Sequence, residues 1–407
     1  MSERFPLPSA ELGAPIHEQR EPVKNLMSAF ESLYYEGGKI TRRGNLPSQK
    51  ERPDIIRVER AKIYHQVIAA KHERNSALSA EFDEDKRDDI RWEAKRNIAP
   101  LLLEAKQRDA LAEQYLTQRE ISVELPGLGV QSSRTIDLVL PNKDRSPETV
   151  KTPTIFLIPG ISNDVECVGS LALEVAMKGR HVTVVGYPES YNGNVTPEFV
   201  KAVDADQAYG PHVAFYKAAI DHLIAAGQEV ELWGYSTGCP IVAEILNDPR
   251  YQERTQNAVL IAPASSVDQS QASLTIGAIA EAKHFFQTKA TTANLMMTKA
   301  SVRPETDQHK KLRTKTFEAL SKKVRRAYSH WKTARTEHGM PIVVVSCEND
   351  QITKSDQLKA EFAADQHIDL INIPGAYHTT PLMEPAKIID QILSRQTQNT
   401  LLKSDRS

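Results

Sequence analysis

From Thr154 onward the chain repeats one pattern: a short, unbroken apolar run, then a stretch with helical spacing, then another run. The runs are Thr154–Ile158, His181–Val185, Glu229–Trp233, Ala258–Ile261, Ile342–Val345 and Ile368–Ile373. A strand with one wet face alternates apolar and polar residues, because successive side chains point to opposite faces. Runs apolar throughout are what strands covered on both faces require, and that covering is supplied by helices crossing over a parallel sheet. Ahead of them, Ile121-Ser-Val-Glu-Leu125 does alternate, Pro126-Gly127 punctuates, and Thr135–Leu140 resumes the strand pattern. That predicts an antiparallel hairpin at the start of the sheet. The fold class expected is therefore α/β, with a mostly parallel central sheet and flanking helices.

Two regions depart from this pattern. Residues 1–118 read as a helical N-terminal region: residues 1–53 are rich in Pro and Gly with one helical patch near Val23–Tyr35. Asp54 is placed to cap a helix carrying Ile55, Val58, Ile63, Val67 and Ile68. A charged stretch, EFDEDKRDD, then precedes a second helical run from Ile90 to Leu116, interrupted by Pro100. Its mixed charge reads either as a solvated face or as a surface for a partner or a second copy of the chain. Residues 262–339 form the second departure, a helical cap inserted in a core that spans 119–261 and 340–400. The cap's second half is basic, with Lys310, Lys311, Arg313, Lys315, Lys322, Lys323, Arg325 and Arg326. In open α/β sheets ligands bind outside the carboxyl ends of the strands, so an insertion after Ile261 would sit over the site. Phe285, Phe286, Met296, Met297, Tyr328 and Trp331 are its candidates for an apolar acyl pocket. Its basic residues form a solvated face or recruit an anionic group.

The motif that carries chemistry is Gly234-Tyr235-Ser236-Thr237-Gly238. It follows an apolar strand (Val230, Leu232) and precedes a helical run (Ile241, Val242, Ile245, Leu246). A strand-to-helix turn this sharp needs small residues on both sides of the serine, whose hydroxyl is pushed outward. The helix N-terminus behind it favours a developing negative charge. A serine hydroxyl is a weak nucleophile unless a base lies within hydrogen-bond reach. His378, in the turn Ile371-Asn-Ile-Pro-Gly-Ala-Tyr-His378, leaves the last strand at the edge of the sheet expected for Ser236. The supporting acid should leave the preceding strand, where Glu348 and Asp350 both stand. Asp350 lies deeper in the turn and is preferred; Glu348 is the runner-up and Asp268 a more distant alternative. Oxyanion donors are expected from the backbone N–H groups of Thr237 and of Ile161, in the loop Pro159-Gly160-Ile161-Ser162-Asn163-Asp164.

Taken together, Pro159-Gly160, Gly234–Gly238, Asp350 and Gly375-Ala-Tyr-His378 resemble the α/β-hydrolase superfamily, over roughly Ile121 to Leu393. The resemblance implies hydrolysis of a small to medium ester, thioester or amide through an acyl-enzyme intermediate, with no metal or organic cofactor. An acyltransferase using the same residues, and an idle scaffold kept for binding, are the alternatives. The stretch Gly186-Tyr-Pro-Glu-Ser-Tyr-Asn-Gly193 departs from the D-x-x-G-x-G-like turn of many members.

Composition narrows the partners. A formal net charge of -2 on 407 residues gives no electrostatic reason for a nucleic-acid partner. No apolar run approaches the ~20 residues of a membrane span. The N-terminus has no apolar signal-peptide core, and the three cysteines, Cys167, Cys239 and Cys347, form no disulfide or zinc pattern. The expected compartment is the cytoplasm, with a small-molecule acyl substrate.

Overall fold

A computed structural model describes residues 73, 76–90, 93, 97, 116–138, 153–160, 165–190, 193–206, 209–263, 276–277, 280–281, 311, 315, 340–362 and 368–404. By contacts the chain divides into two compact units, Met1–Glu113 and Gln114–Ser407.

In the first unit, residues 76–80 and 84–90 are helical. The second of these starts inside the acidic stretch, earlier than the expected Ile90. Asp83 explains the start: its Oδ1 accepts the N–H of Asp85 at 3.0 Å and that of Lys86, which caps the first turn. The expected helices near Val23–Tyr35 and from Asp54 lie outside the described residues.

The second unit is built on an eight-stranded sheet: β1 (Leu116–Leu125), β2 (Gly129–Leu138), β3 (Thr154–Ile158), β4 (Val182–Val185), β5 (Val230–Tyr235), β6 (Thr255–Ile261), β7 (Ile342–Cys347) and β8 (Ile368–Ile373). The spatial order is β1-β2-β4-β3-β5-β6-β7-β8. β1 pairs antiparallel with β2, and β2 antiparallel with β4; every other pairing is parallel. The helical run expected to end at Leu116 is a correction: residues 116–120 are strand. There Leu116 through Glu120 pair with Leu138 back to Arg134, because the hairpin's second strand is long enough to hold them.

Burial follows the sequence pattern. In β1, Ile121, Val123 and Leu125 are buried while Ser122 and Glu124 are exposed, whereas every residue of β3, β4, β5 and β7 is buried. Helices whose bounds lie among the described residues of this unit are α1 (Gly169–Met177), α2 (Pro197–Ala205), α3 (Gly210–Leu223), α4 (Gly238–Leu246), α5 (Pro249–Arg254), α6 (Ser355–Phe362), α7 (Thr380–Met383) and α8 (Ala386–Ser404). Prolines at their first positions start several of them: Thr196 caps α2 by accepting the Phe199 N–H, and Asp248 caps α5 through Arg250 N–H.

Alternate side chains of the strands feed two layers. Phe156, Ile158, Leu232, Leu260 and Val344 pack with α2, α3, α4 and α6 in one continuous core. Between β5 and α8, on the other face, sits a buried carboxylate, Glu231. It accepts from Arg180 Nη2 at 2.7 Å, Trp233 Nε1 at 3.2 Å and Gln396 Nε2 at 3.0 Å, so its charge is both paired and hydrogen-bonded. The parallel strands all point their carboxyl ends to one edge, and the loops that matter for chemistry leave from there. No helix among the described residues is long and apolar enough to cross a membrane.

Candidate active site

Ser236 stands one residue past β5 and two before α4, with φ at +52°. A non-glycine residue in that left-handed region stores strain, which persists only where the surroundings over-determine it. The flanking glycines do so. A Cβ on Gly234 would lie 2.7 Å from Cys239 N, and one on Gly238 would lie 2.3 Å from the Ile158 carbonyl oxygen. The start of α4 therefore packs directly on the chain leaving β3, with room for no side chain between them. Ser236 N–H donates to Ile261 O, and Cys239 N–H donates back to Ser236 O, closing the turn.

Across the sheet edge, His378 Nε2 lies 2.9 Å from Ser236 Oγ, and His378 Nδ1 lies 2.8 Å from Asp350 Oδ2. Asp350's other oxygen accepts the N–H groups of Ile352 at 2.7 Å and Thr353 at 2.8 Å, which orients the carboxylate. With Nδ1–H donated to Asp350, Nε2 is left as the acceptor facing the serine hydroxyl. All three side chains are buried, Ser236 at 8%, Asp350 at 3% and His378 at 4% relative exposure, so their interactions act at low dielectric. Burial opposes the imidazolium, but the charge and hydrogen bond of Asp350, with the charge of Glu281, outweigh it. His378 is held above the ordinary histidine range.

The two candidate acids part company here. Glu348 Oε2 accepts the Gly375 N–H at 2.7 Å and has no contact with the imidazole; Asp350 takes the histidine. Asp268, Ile161, Ser162 and Asn163 lie outside the described residues. Thr237 heads α4 and is buried, its hydroxyl 3.2 Å from the phenol of Tyr187. Tyr187 is the second residue of the stretch Gly186–Gly193. There Ser190 N–H donates to Tyr187 O and Gly193 N–H to Ser190 O, and a Cβ on Gly193 would lie 2.2 Å from Pro188 O.

Three further side chains border this arrangement, and the sequence alone assigns none of them a place in it. Tyr235, one of the two variable residues of the motif, donates its hydroxyl to His378 O at 3.0 Å and stacks obliquely on the imidazole, centroids 5.6 Å apart. Tyr187 bears on Thr237 as above. Glu281, from the segment between β6 and β7, accepts from the N–H of Gln351 at 2.9 Å and of His378 at 3.2 Å. Of the basic residues expected in that segment, Lys311 and Lys315 are helical and exposed; the expected acyl-pocket side chains lie outside the described residues. Cys239 Sγ is buried against the carbonyls of Gly234 and Ile261, and Cys347 is buried too, both as packing thiols whose pKa burial pushes up. Among the described residues no cluster of His, Cys, Asp or Glu could hold a metal ion.

The sequence profile of a family described as serine aminopeptidase, S33, matches residues 203–386, a span that contains Ser236, Asp350 and His378. The chain has the α/β-hydrolase fold. No curated protein matches this hydrolase. Among solved structures, it is similar to the naproxen esterase of Bacillus subtilis at 13% identity and a TM-score of 0.47, over 71% of this chain and 95% of that one. A serine hydrolase involved in carbazole degradation aligns at 14% identity and a TM-score of 0.49, over 69% of this hydrolase and all of its own chain, 100%. A membrane phospholipase A, described as a bacterial virulence factor, aligns at 14% identity and a TM-score of 0.49, over 73% and 90% respectively.

Proposed function

We propose that this hydrolase cleaves a small to medium carboxylic ester, thioester or amide, in the manner of a carboxylesterase, through an acyl-enzyme formed on Ser236. The observation that carries this reading is the continuous chain Ser236 Oγ–His378 Nε2, 2.9 Å, and His378 Nδ1–Asp350 Oδ2, 2.8 Å, beneath a serine held at positive φ. Ser236 Oγ attacks the carbonyl carbon while its proton passes to His378 Nε2. Asp350 keeps the imidazole in the required tautomer and stabilises the imidazolium without taking the proton. The oxyanion develops toward the N-terminus of α4, where the Thr237 N–H is one donor and that of Ile161 the other in this reading. Each such donor is worth about 3 kcal/mol to the transition state. His378 then protonates the leaving group, and the same steps with water release the acid and restore the serine.

The test is a fluorophosphonate probe followed by a panel of p-nitrophenyl esters of graded acyl length. Labelling should be lost in Ser236→Ala and His378→Ala. Absence of label on the native wild-type protein sinks the hydrolase reading altogether. Label without turnover of any ester in the panel moves the substrate away from simple esters.

A further inference from the structure

The segment inserted between β6 and β7 contributes more than a covering. Ile276, Gly277, Ala280 and Glu281 are helical, and positions four apart share a helix face. Gly277 and Glu281 both bear on the loop that carries Asp350. A Cβ on Gly277 would stand 2.0 Å from the Gln351 carbonyl oxygen, so the helix touches that loop backbone to backbone. One turn on, Glu281 Oε1 accepts the Gln351 N–H at 2.9 Å and the His378 N–H at 3.2 Å. One carboxylate oxygen thus joins the residue after Asp350 to the histidine itself. Glu281 is 3% exposed, and its second oxygen is buried with no hydrogen-bond partner among the described residues.

We propose that Glu281 is a positioning residue of this site: its carboxylate fastens the Asp350 loop to the His378 loop and places a second negative charge behind the imidazole. The inference rests on the hydrolase reading above and adds to it that the inserted segment is needed for the chemistry. A surface role for Glu281 would not call for this placement. Leaving a buried carboxylate oxygen unpaired costs stability, which only an interaction elsewhere offsets. Two backbone donors and a neighbouring imidazolium are such interactions. Burial raises the Glu281 pKa, with the charge of Asp350 acting in the same direction. The hydrogen bonds from Gln351 and His378, and the His378 charge, oppose it. The groups facing this carboxylate among the described residues are Asp350 and Cys347 from the β7 side and His378 from the β8 side.

The experiment compares wild type, Glu281→Gln and Glu281→Ala in full-length protein, with far-UV circular dichroism to establish folding. The readouts are kcat and KM on whichever p-nitrophenyl ester the wild type turns over, or the fluorophosphonate labelling rate if none is. Glu281→Ala should lose about 10- to 100-fold in kcat with KM changed less than about threefold, since displaced catalytic groups cost rate rather than binding. Glu281→Gln keeps the shape and an acceptor oxygen, so its rate loss should be smaller, under about tenfold. The acid limb of its kcat/KM profile should move to lower pH, because one of the charges favouring the imidazolium is gone. An unmoved pH profile with a wild-type rate in Glu281→Gln overturns the proposal, even if Glu281→Ala fails to fold. No label on the wild type removes the hydrolase reading and this inference together; a labelled wild type with indifferent Glu281 variants removes this inference alone.

Discussion

Asp350 Oδ2 accepts the Nδ1 hydrogen of His378 at 2.8 Å, although Glu348, two residues earlier in the same turn, is the longer carboxylate. Reach does not decide between them. Glu348 is turned to the Gly375 N–H, on the outer side of the neighbouring loop, while Asp350 is buried under it and oriented by two backbone donors.

The two acids should therefore separate cleanly on substitution. Asp350→Asn removes the charge and favours the wrong imidazole tautomer, which lowers kcat by about 10³- to 10⁴-fold in triads of this kind. Glu348→Gln should stay within about threefold of wild type, because it affects one exposed turn hydrogen bond worth about 1 kcal/mol. Steady-state rates on one ester decide it; near-normal turnover by Asp350→Asn with a crippled Glu348→Gln would reverse the assignment.

The pH profile carries the sign of the His378 shift. Base catalysis needs the neutral imidazole, and His378 is held above the ordinary value by Asp350 and Glu281 against the opposing effect of burial. kcat/KM should therefore rise with pH through an acid limb centred above the unperturbed histidine value of about 6.5. A limb centred at or below that value would contradict the buried ion-pair geometry. In stability the same shift acts the other way. The contribution of the raised pKa is full below about pH 6.5 and is lost as pH rises through the folded-state value.

Steric tests bear on the elbow. Gly238→Ala drives a methyl to 2.3 Å from the Ile158 oxygen, a backbone atom that cannot swing aside. The strand β3 and helix α4 must separate, at a cost of about 1–3 kcal/mol. Because that movement carries the Thr237 N–H with it, labelling should slow at least about tenfold. Urea unfolding and probe labelling measure the two effects, and a stable, fully active variant would contradict the tight packing.

Glu231 supplies the contrasting case, stability without chemistry. Its carboxylate serves Arg180, Trp233 and Gln396 and touches none of Ser236, Asp350 or His378. Glu231→Ala leaves Arg180 without that partner and should cost about 3–5 kcal/mol. The labelling rate of the protein that remains folded should be unchanged. A labelling defect at unchanged stability would be the opposite of what this arrangement implies.

What the amino-acid order determined by itself is what local physics controls. Unbroken apolar runs called for a sheet covered on both faces, and β3 and β8 fall within the residues so read, Thr154–Ile158 and Ile368–Ile373. Alternation in Ile121–Leu125 called for the hairpin strand, and Gly234 with Gly238 called for a turn where no Cβ fits. Even there the start of β1 was missed, since residues 116–120 are strand only because β2 offers them a partner. The site follows the same division. Ser236 was legible because its constraint lies in five consecutive residues. Tyr235, Tyr187 and Glu281 were not, because each acts across 97 to 143 residues or, for Tyr187, 50 residues of chain. Only the tertiary structure sets Asp350, rather than Glu348, within hydrogen-bond distance of His378, and only it brings Glu281 behind His378. Asp350 is oriented by N–H groups of its own loop, but it meets His378, as Glu348 meets Gly375, only because the packed sheet edge sets the loop after β8 beside the loop after β7, 27 and 28 residues away in the chain.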